Sequence, residues 1–179
     1  MNSADPAEAL LVLRAQAGDV DAFGRLYDAT APALRRYLGC IVGERADVDD
    51  LLQSVFFTVY RKVRWLKEPA SFRPWLYRIA ARQAFRTCRS RETQLTDDQW
   101  DEVQSHAASG ADRAVLLDCA VRRIAQLPPA SRAVLSLHYL EGMTLEEAAA
   151  VLGIPVGTAK SRLSFGIAKL RGWLGAEGR

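Results

Sequence analysis

Apolar residues recur at spacings of three and four along almost the whole chain, and no run alternates apolar with polar between hairpin turns, so the pattern predicts an all-α fold. The first helix is expected from Ala7 to Ala17, with Leu10, Leu11, Leu13 and Ala17 as its apolar positions and Gly18-Asp19 as its stop. A longer helix from Val20 to Val42 carries Phe23, Leu26, Tyr27, Leu34, Tyr37 and Leu38, with Pro32 as a point of expected irregularity. From Asp47 to Val63 the residues Leu51, Leu52, Val55, Phe56, Val59, Tyr60 and Val63 form a stripe that must face a core. The segment Leu66-Lys67-Glu68-Pro69-Ala70-Ser71 then breaks the period, because a residue before proline is pushed out of the helical region, and predicts a loop. A helix from Phe72 to Arg91 follows, with Trp75, Leu76, Ile79 and Ala80 inward and Arg78, Arg82, Arg86 and Arg89 sharing one outer face.

The residues from Glu92 to Asp112 are acidic, rich in Ser, Thr, Gln and Ala and weakly periodic, as expected of a flexible linker. Fully extended, such a linker reaches roughly 70 Å. Helical periodicity resumes near Arg113: Val115, Leu116, Cys119, Ile124 and Leu127 predict a helix ended by Pro128-Pro129, and Ala133, Val134, Leu137, His138 and Leu140 another ended by Glu141-Gly142. The boundaries predicted are therefore two small helical domains, 1–91 and 113–179, joined by the linker 92–112.

Composition narrows the class of function. With 49% hydrophobic and 25% charged residues in 179, the chain has the makings of packed domains. No apolar run approaches the roughly 18 residues that span a bilayer, and Met1 to Glu8 carry acids where a signal peptide would carry Lys or Arg, so a cytoplasmic protein without membrane insertion is expected. Cys40, Cys88 and Cys119 lie far apart, only His106 and His138 are present, and GxSxG, HExxH and GxxxxGK[ST] strings are lacking, so neither enzymatic chemistry nor a metal or other cofactor is expected.

The net charge of +3 conceals segregation. Residues 1–60 carry −4 and residues 92–118 carry −6, whereas residues 61–91 hold ten basic groups against the single acid Glu68. A block of that density suits a polyanion, since each cation that neutralises a phosphate releases counterions. A solvated helix face is the alternative that charge runs usually represent.

Near the C-terminus, Thr144-Leu145-Glu146-Glu147 reads as a capping box and Gly153 as a left-handed helix stop. Pro155-Val156-Gly157-Thr158 opens another helix reaching about Trp173. Small Ala148, Ala149 and Ala150 permit a close crossing, and the second helix is expected to turn Ala159, Leu163, Ile167 and Leu170 inward while presenting Thr158, Lys160, Ser161 and Ser164. This is the pattern of a helix-turn-helix whose second helix enters a major groove, although an ordinary helical hairpin has the same outline.

With those motifs in view, residues 9–174 resemble the extracytoplasmic-function group of bacterial RNA polymerase sigma factors. The strings that carry the resemblance are Asp21-Ala22-Phe23 with Leu26-Tyr27, Asp47 to Phe56, Phe72-Arg73-Pro74-Trp75-Leu76-Tyr77-Arg78-Ile79-Ala80, Leu127-Pro128-Pro129, Tyr139 to Thr144, and Leu152 to Leu163. The resemblance implies that the chain directs core polymerase to promoters and helps to melt them. Asp49, Asp50, Gln53 and Phe57 would bind the clamp helices of the largest subunit, and the flap would be a further contact. Ser71, Phe72, Arg73, Arg78, Arg82 and Arg86 would read and open the minus-ten element, while Thr158, Lys160, Ser161, Arg162, Ser164 and Phe165 would read the minus-thirty-five element. Promoter DNA and an anti-sigma factor are the other implied partners. Arg82 and Arg86 stand where the family often has Asn and Asp, Ser54 where it has an acid, and Phe165 where an Arg is common, departures that bear on sequence specificity. A one-component helix-turn-helix regulator, or a sigma-like adaptor without initiation activity, remains the alternative on sequence grounds.

Overall fold

In a computed structural model, which describes residues 5–43, 47–92 and 124–176, every regular element among the described residues is helical. The N-terminal segment folds as α1 (Pro6–Gln16), α2 (Val20–Val42), α3 (Val48–Lys62), two 3-10 turns (Val63–Trp65 and Pro69–Ser71) and α4 (Phe72–Glu92). The C-terminal segment contains α5 (Pro129–Leu135), a π-helical turn (Ser136–Leu140), α6 (Leu145–Leu152) and α7 (Val156–Ala176). Apart from Glu92, the predicted linker Glu92–Asp112 lies outside the described residues, as does most of the helix expected after Arg113.

Aspartates start the first three helices, each turning a carboxylate onto free amides of the first turn. Asp5 accepts from the Ala7 amide at 2.9 Å, Asp19 from the Ala22 amide at 2.9 Å, and Asp47 from the Asp49 and Asp50 amides at 3.0 and 3.1 Å. The Ala22 amide and the Arg14 side chain hold the Asp19 carboxyl below the usual carboxylate range. Contrary to the expected irregularity, α2 runs unbroken through Pro32.

The principal core lies between α2, α3 and α4, where Leu34, Tyr37, Leu38, Val55, Val59 and Leu76 are fully enclosed. Four residues depart from their predicted places. In α1 the buried residue is Val12, whereas Leu10 and Leu13 are 58% and 52% exposed, because the run Leu10–Leu13 is apolar in every direction and its period cannot choose a face. Tyr60, placed in the core stripe of α3 by the sequence, is 54% exposed and meets Phe23 edge to face. Phe72, assigned by resemblance to minus-ten DNA, has no exposed surface; it is a core residue at the start of α4, packed beside Trp75.

The C-terminal segment closes on the same core rather than standing apart. Ala133, Leu137, Ala148 and Val151 join the principal cluster, while Leu127, Val134, Leu135, Ala149, Ala159 and Leu163 make a second one. The predicted capping box is formed, with the Glu147 amide donating to Thr144 at 3.1 Å and the Thr144 amide donating to the Glu147 carboxylate at 2.8 Å. Gly153 ends α6 at φ 66°, a conformation that a side chain would strain. Gly166 has a different purpose: a Cβ there would stand 2.7 Å from Leu135, so its hydrogen lets α7 lie directly on α5.

Because Phe72 fills core volume, Phe72→Ala should lower the unfolding free energy by about 3–5 kcal/mol in denaturant titration, with Phe72→Leu losing much less. A loss below about 1 kcal/mol for the alanine variant would show that the site is not packed as described.

Candidate nucleic-acid and protein interfaces

Three surfaces gather the residues singled out from the sequence. The first is a groove of about 540 Å³ between α2 and α3. Asp50, Gln53, Phe57 and Tyr60 follow one another along α3 at intervals of three and four, which is one helix face, and Phe23 and Tyr27 of α2 form the opposite wall. Phe57 is 63% exposed with the Arg61 guanidinium 5.7 Å from its ring centre. Asp49 is exposed beside it and pairs with Arg35 at 2.6 Å. All four residues expected on a protein-binding face are thus brought together. The sequence reading missed Phe23, Tyr27 and Tyr60, although the second stripe 50, 53, 57 and 60 was a signal that could have found Tyr60.

The second surface is the outer face of α4 with the loop before it. Arg78, Arg82, Arg86 and Arg89 are all exposed, as the ridge required, and Ser71 is exposed at the end of the second 3-10 turn. Arg73 stands apart from the ridge: its Nε donates to the largely buried Glu8 carboxylate of α1 at 2.8 Å. Trp65, which the sequence reading passed over, is 62% exposed with the Arg64 guanidinium 4.1 Å from its ring centre. An indole so exposed inside a block of cations offers a flat apolar surface to a base. Its signal in the sequence was an aromatic residue lying outside the core stripe of α3.

The third surface is the start of α7. Lys160, Ser161 and Ser164 are exposed, Thr158 and Arg162 are half-buried, and Ala159 and Leu163 are buried, so the helix turns the faces that its sequence required. The Ser161 hydroxyl donates to the Gly157 carbonyl at 2.9 Å, leaving its oxygen free to accept. Phe165 is 45% exposed beside the Lys169 ammonium.

The N-terminal and C-terminal segments meet at a seam. Tyr77, almost wholly buried, donates its hydroxyl to the Glu141 carboxylate across 64 residues of chain. Burial, then the hydrogen bond and charge of Glu141, push the Tyr77 hydroxyl far above the usual tyrosine range. Arg78 donates to the Ala150 carbonyl of α6 at 2.9 Å, and a cleft of about 270 Å³ beside it is lined by Arg82, Phe85 and the α6 stop Leu152-Gly153. Farther along, the buried Arg132 guanidinium of α5 lies 3.6 Å from where a Gly43 side chain would begin, at the carboxyl end of α2. That cation faces the negative end of a helix that has no basic residue in its own last turn. Burial lowers the Arg132 pKa from its ordinary value.

Comparison with known proteins agrees with the geometry. Residues 26–93 match the Sigma-70 region 2 family model and residues 117–170 match Sigma-70, region 4. The ECF RNA polymerase sigma-E factor of Escherichia coli K12 is 30% identical over 171 residues, covering 86% of this chain and 87% of that protein. The ECF RNA polymerase sigma factor BldN of Streptomyces coelicolor is 34% identical over 161 residues, and there the match spans 84% of this chain but 60% of the relative's length. Among solved structures, CnrH in complex with the cytosolic domain of CnrY superposes with a TM-score of 0.71 at 28% identity, covering 95% of this chain and 98% of that one. The fold is also that of the Bartonella quintana sigma factor RpoE solved with the anti-sigma factor NepR, at a TM-score of 0.70 and 24% identity.

Removing the seam's buried donor by Tyr77→Phe leaves a Glu141 oxygen unsatisfied, and the expected cost is about 1–3 kcal/mol. Thermal or denaturant unfolding measures it, with Tyr27→Phe on an exposed ring as the comparison expected to change little.

Proposed function

We propose that this chain, which belongs to the ECF RNA polymerase sigma factors, directs core polymerase to promoters and opens the DNA there, catalysis remaining with the polymerase. The observation that carries this reading is the coincidence on one scaffold of three surfaces of different chemistry: an acidic and aromatic groove, a cationic ridge behind an exposed indole, and a polar helix-turn-helix face. A regulator that used only its helix-turn-helix has no need of the first two.

In this reading residues 1–91 act as the unit that binds core and the minus-ten element, 92–112 as the linker, and 113–179 as the unit that reads the minus-thirty-five element. Phe57 serves as the aromatic anchor for the clamp helices, with Asp49, Asp50 and Gln53 as its polar rim, an arrangement typical of interface hot spots. Arg78, Arg82 and Arg86 track the backbone of the opened strands, and Trp65 is added as a surface on which an unpaired base can stack. Arg73 contributes through its hold on α1, and Phe72 through the core. Lys160 and Ser161 contact the major groove, where Lys can pair with guanine edges and Ser with bases or phosphates.

The closed seam supports a further element of the reading. Arg78 donates one of its five N–H groups to Ala150 and so ties the start of the ridge to α6; in this reading the closed arrangement is the silent one and promoter engagement separates α4 from α6. An anti-sigma factor that holds the two segments together would keep Arg78 on α6 and keep the two DNA-reading faces from separating.

Transcription reconstituted with bacterial core polymerase tests the proposal. The chain should confer specific initiation on a promoter selected by the holoenzyme from a random pool, and changing Arg78, Arg82 and Arg86 together to Gln should abolish permanganate-reactive thymines at the start site while holoenzyme still forms. Normal opening by that triple variant would reduce the ridge to a solvated surface.

A further inference from the structure

The loop between α3 and α4 carries Trp65, Lys67 and Ser71 outward, yet its two 3-10 turns have no side-chain cap of their own. Its order comes from α1. The half-buried Gln16 amide nitrogen donates to the Val63 carbonyl at 2.9 Å and to the Leu66 carbonyl at 2.7 Å. A primary amide has two hydrogens, and both are used on this one loop. The Leu66 carbonyl stands where the backbone leaves the first turn for an extended conformation, at ψ 108°. Eight residues earlier on the same face of α1, Glu8 accepts from Arg73, which follows the loop, at 2.8 Å. Helix α1 therefore grips the loop at both ends, about 12 Å apart along its axis.

We propose that Gln16 is a positioning residue for DNA opening: by tying the Val63 and Leu66 carbonyls to α1, it fixes the direction in which Trp65 and Lys67 meet the separated strands. The proposal rests on the reading that this loop and α4 open DNA. Gln16 itself touches no DNA. Gln16→Met keeps the length and loses both donors. Gln16→Glu replaces the donors with oxygens that repel the two carbonyls when ionised, and restores one O–H donor when protonated.

The test uses holoenzyme assembled from bacterial core polymerase and each full-length variant, on the promoter selected by the parental holoenzyme, with permanganate reactivity as the probe of opening. Both variants should open DNA at least about tenfold more slowly than the parent at pH 8, with holoenzyme formation and duplex binding within about twofold. On lowering the pH toward 6, opening by Gln16→Glu relative to the parent should recover severalfold, because a carboxyl facing two carbonyls titrates late, whereas Gln16→Met should stay flat. A merely structural prop would lose holoenzyme formation and opening in parallel and show no such recovery. Parental opening rates in both variants would overturn the proposal. If Gln16→Met does not fold, the pH response of Gln16→Glu decides alone: a ratio to the parent that does not change with pH overturns it. The Arg78, Arg82 and Arg86 triple variant, run alongside, keeps the two ideas apart. Loss of opening there with normal opening in the Gln16 variants removes only the role of Gln16, while normal opening in all three removes the melting function of the segment.

Discussion

Helix α4 is asked to do two things that compete. Its inner face, from Phe72 through Leu76, Ala80 and Ala84, seals the core against α2 and α3. Its outer face is a row of arginines whose mutual repulsion must be relieved by something negative. In the closed arrangement that relief is partial: Arg78 reaches the Ala150 carbonyl and Tyr77 the Glu141 carboxylate, while Arg82 and Arg86 stay exposed. A polyanion offers the ridge more than a carbonyl does, since it neutralises several cations at once and releases counterions. Under the proposed function the seam and DNA are rivals for one helix face, and the rest of the molecule can be understood as the means by which that rivalry is decided.

For the proposed function the seam must be able to part. Its apolar share comes from the buried Ala133, Leu137, Ala148 and Val151, with Met143 and Leu152 packed half-buried against them. Its polar share is specific: Tyr37 Oη, Glu141 Oε1 and Arg132 Nε are buried without a hydrogen-bond partner among the described residues, and unsatisfied groups of this kind lower the stability of the contact that buries them. Minus-ten and minus-thirty-five elements lie more than two turns of duplex apart, over about 70 Å. If the two segments read one element each, as proposed, they cannot do so while packed together, and the 21-residue stretch Glu92–Asp112 is long enough, when extended, to let them part.

Much of this was legible in the sequence, for identifiable reasons. Capping residues, the left-handed glycine and the periods of α2, α3, α4 and α7 are local signals, and each of those elements formed close to its expected bounds. The resemblance in motif order then supplied roles that no period could. What stayed hidden was tertiary. Tyr77 and Glu141 are ordinary residues until the fold sets them together, and the same is true of Gln16 and the carbonyls of Val63 and Leu66. The run Leu10–Leu13 misled because apolar residues in all directions name no face, and Phe72 misled because a resemblance in motif assigns a role to a string of residues without saying which of its side chains point into the core. The π turn at Ser136–Leu140, which leads into Gly142 at φ 66°, left no mark in the sequence that periodicity could register.

The rivalry between seam and DNA can be observed as a distance. Dyes placed through unnatural amino acids at the exposed positions Arg36 of α2 and Arg171 of α7 would report the separation of the two segments by energy transfer. Transfer should be high in the free protein and should collapse in the open promoter complex with polymerase, as the segments move toward a separation set by more than two helical turns of DNA. Unchanged transfer in a complex whose start-site thymines are permanganate-reactive would contradict the account, because opening would then have occurred with the seam still closed.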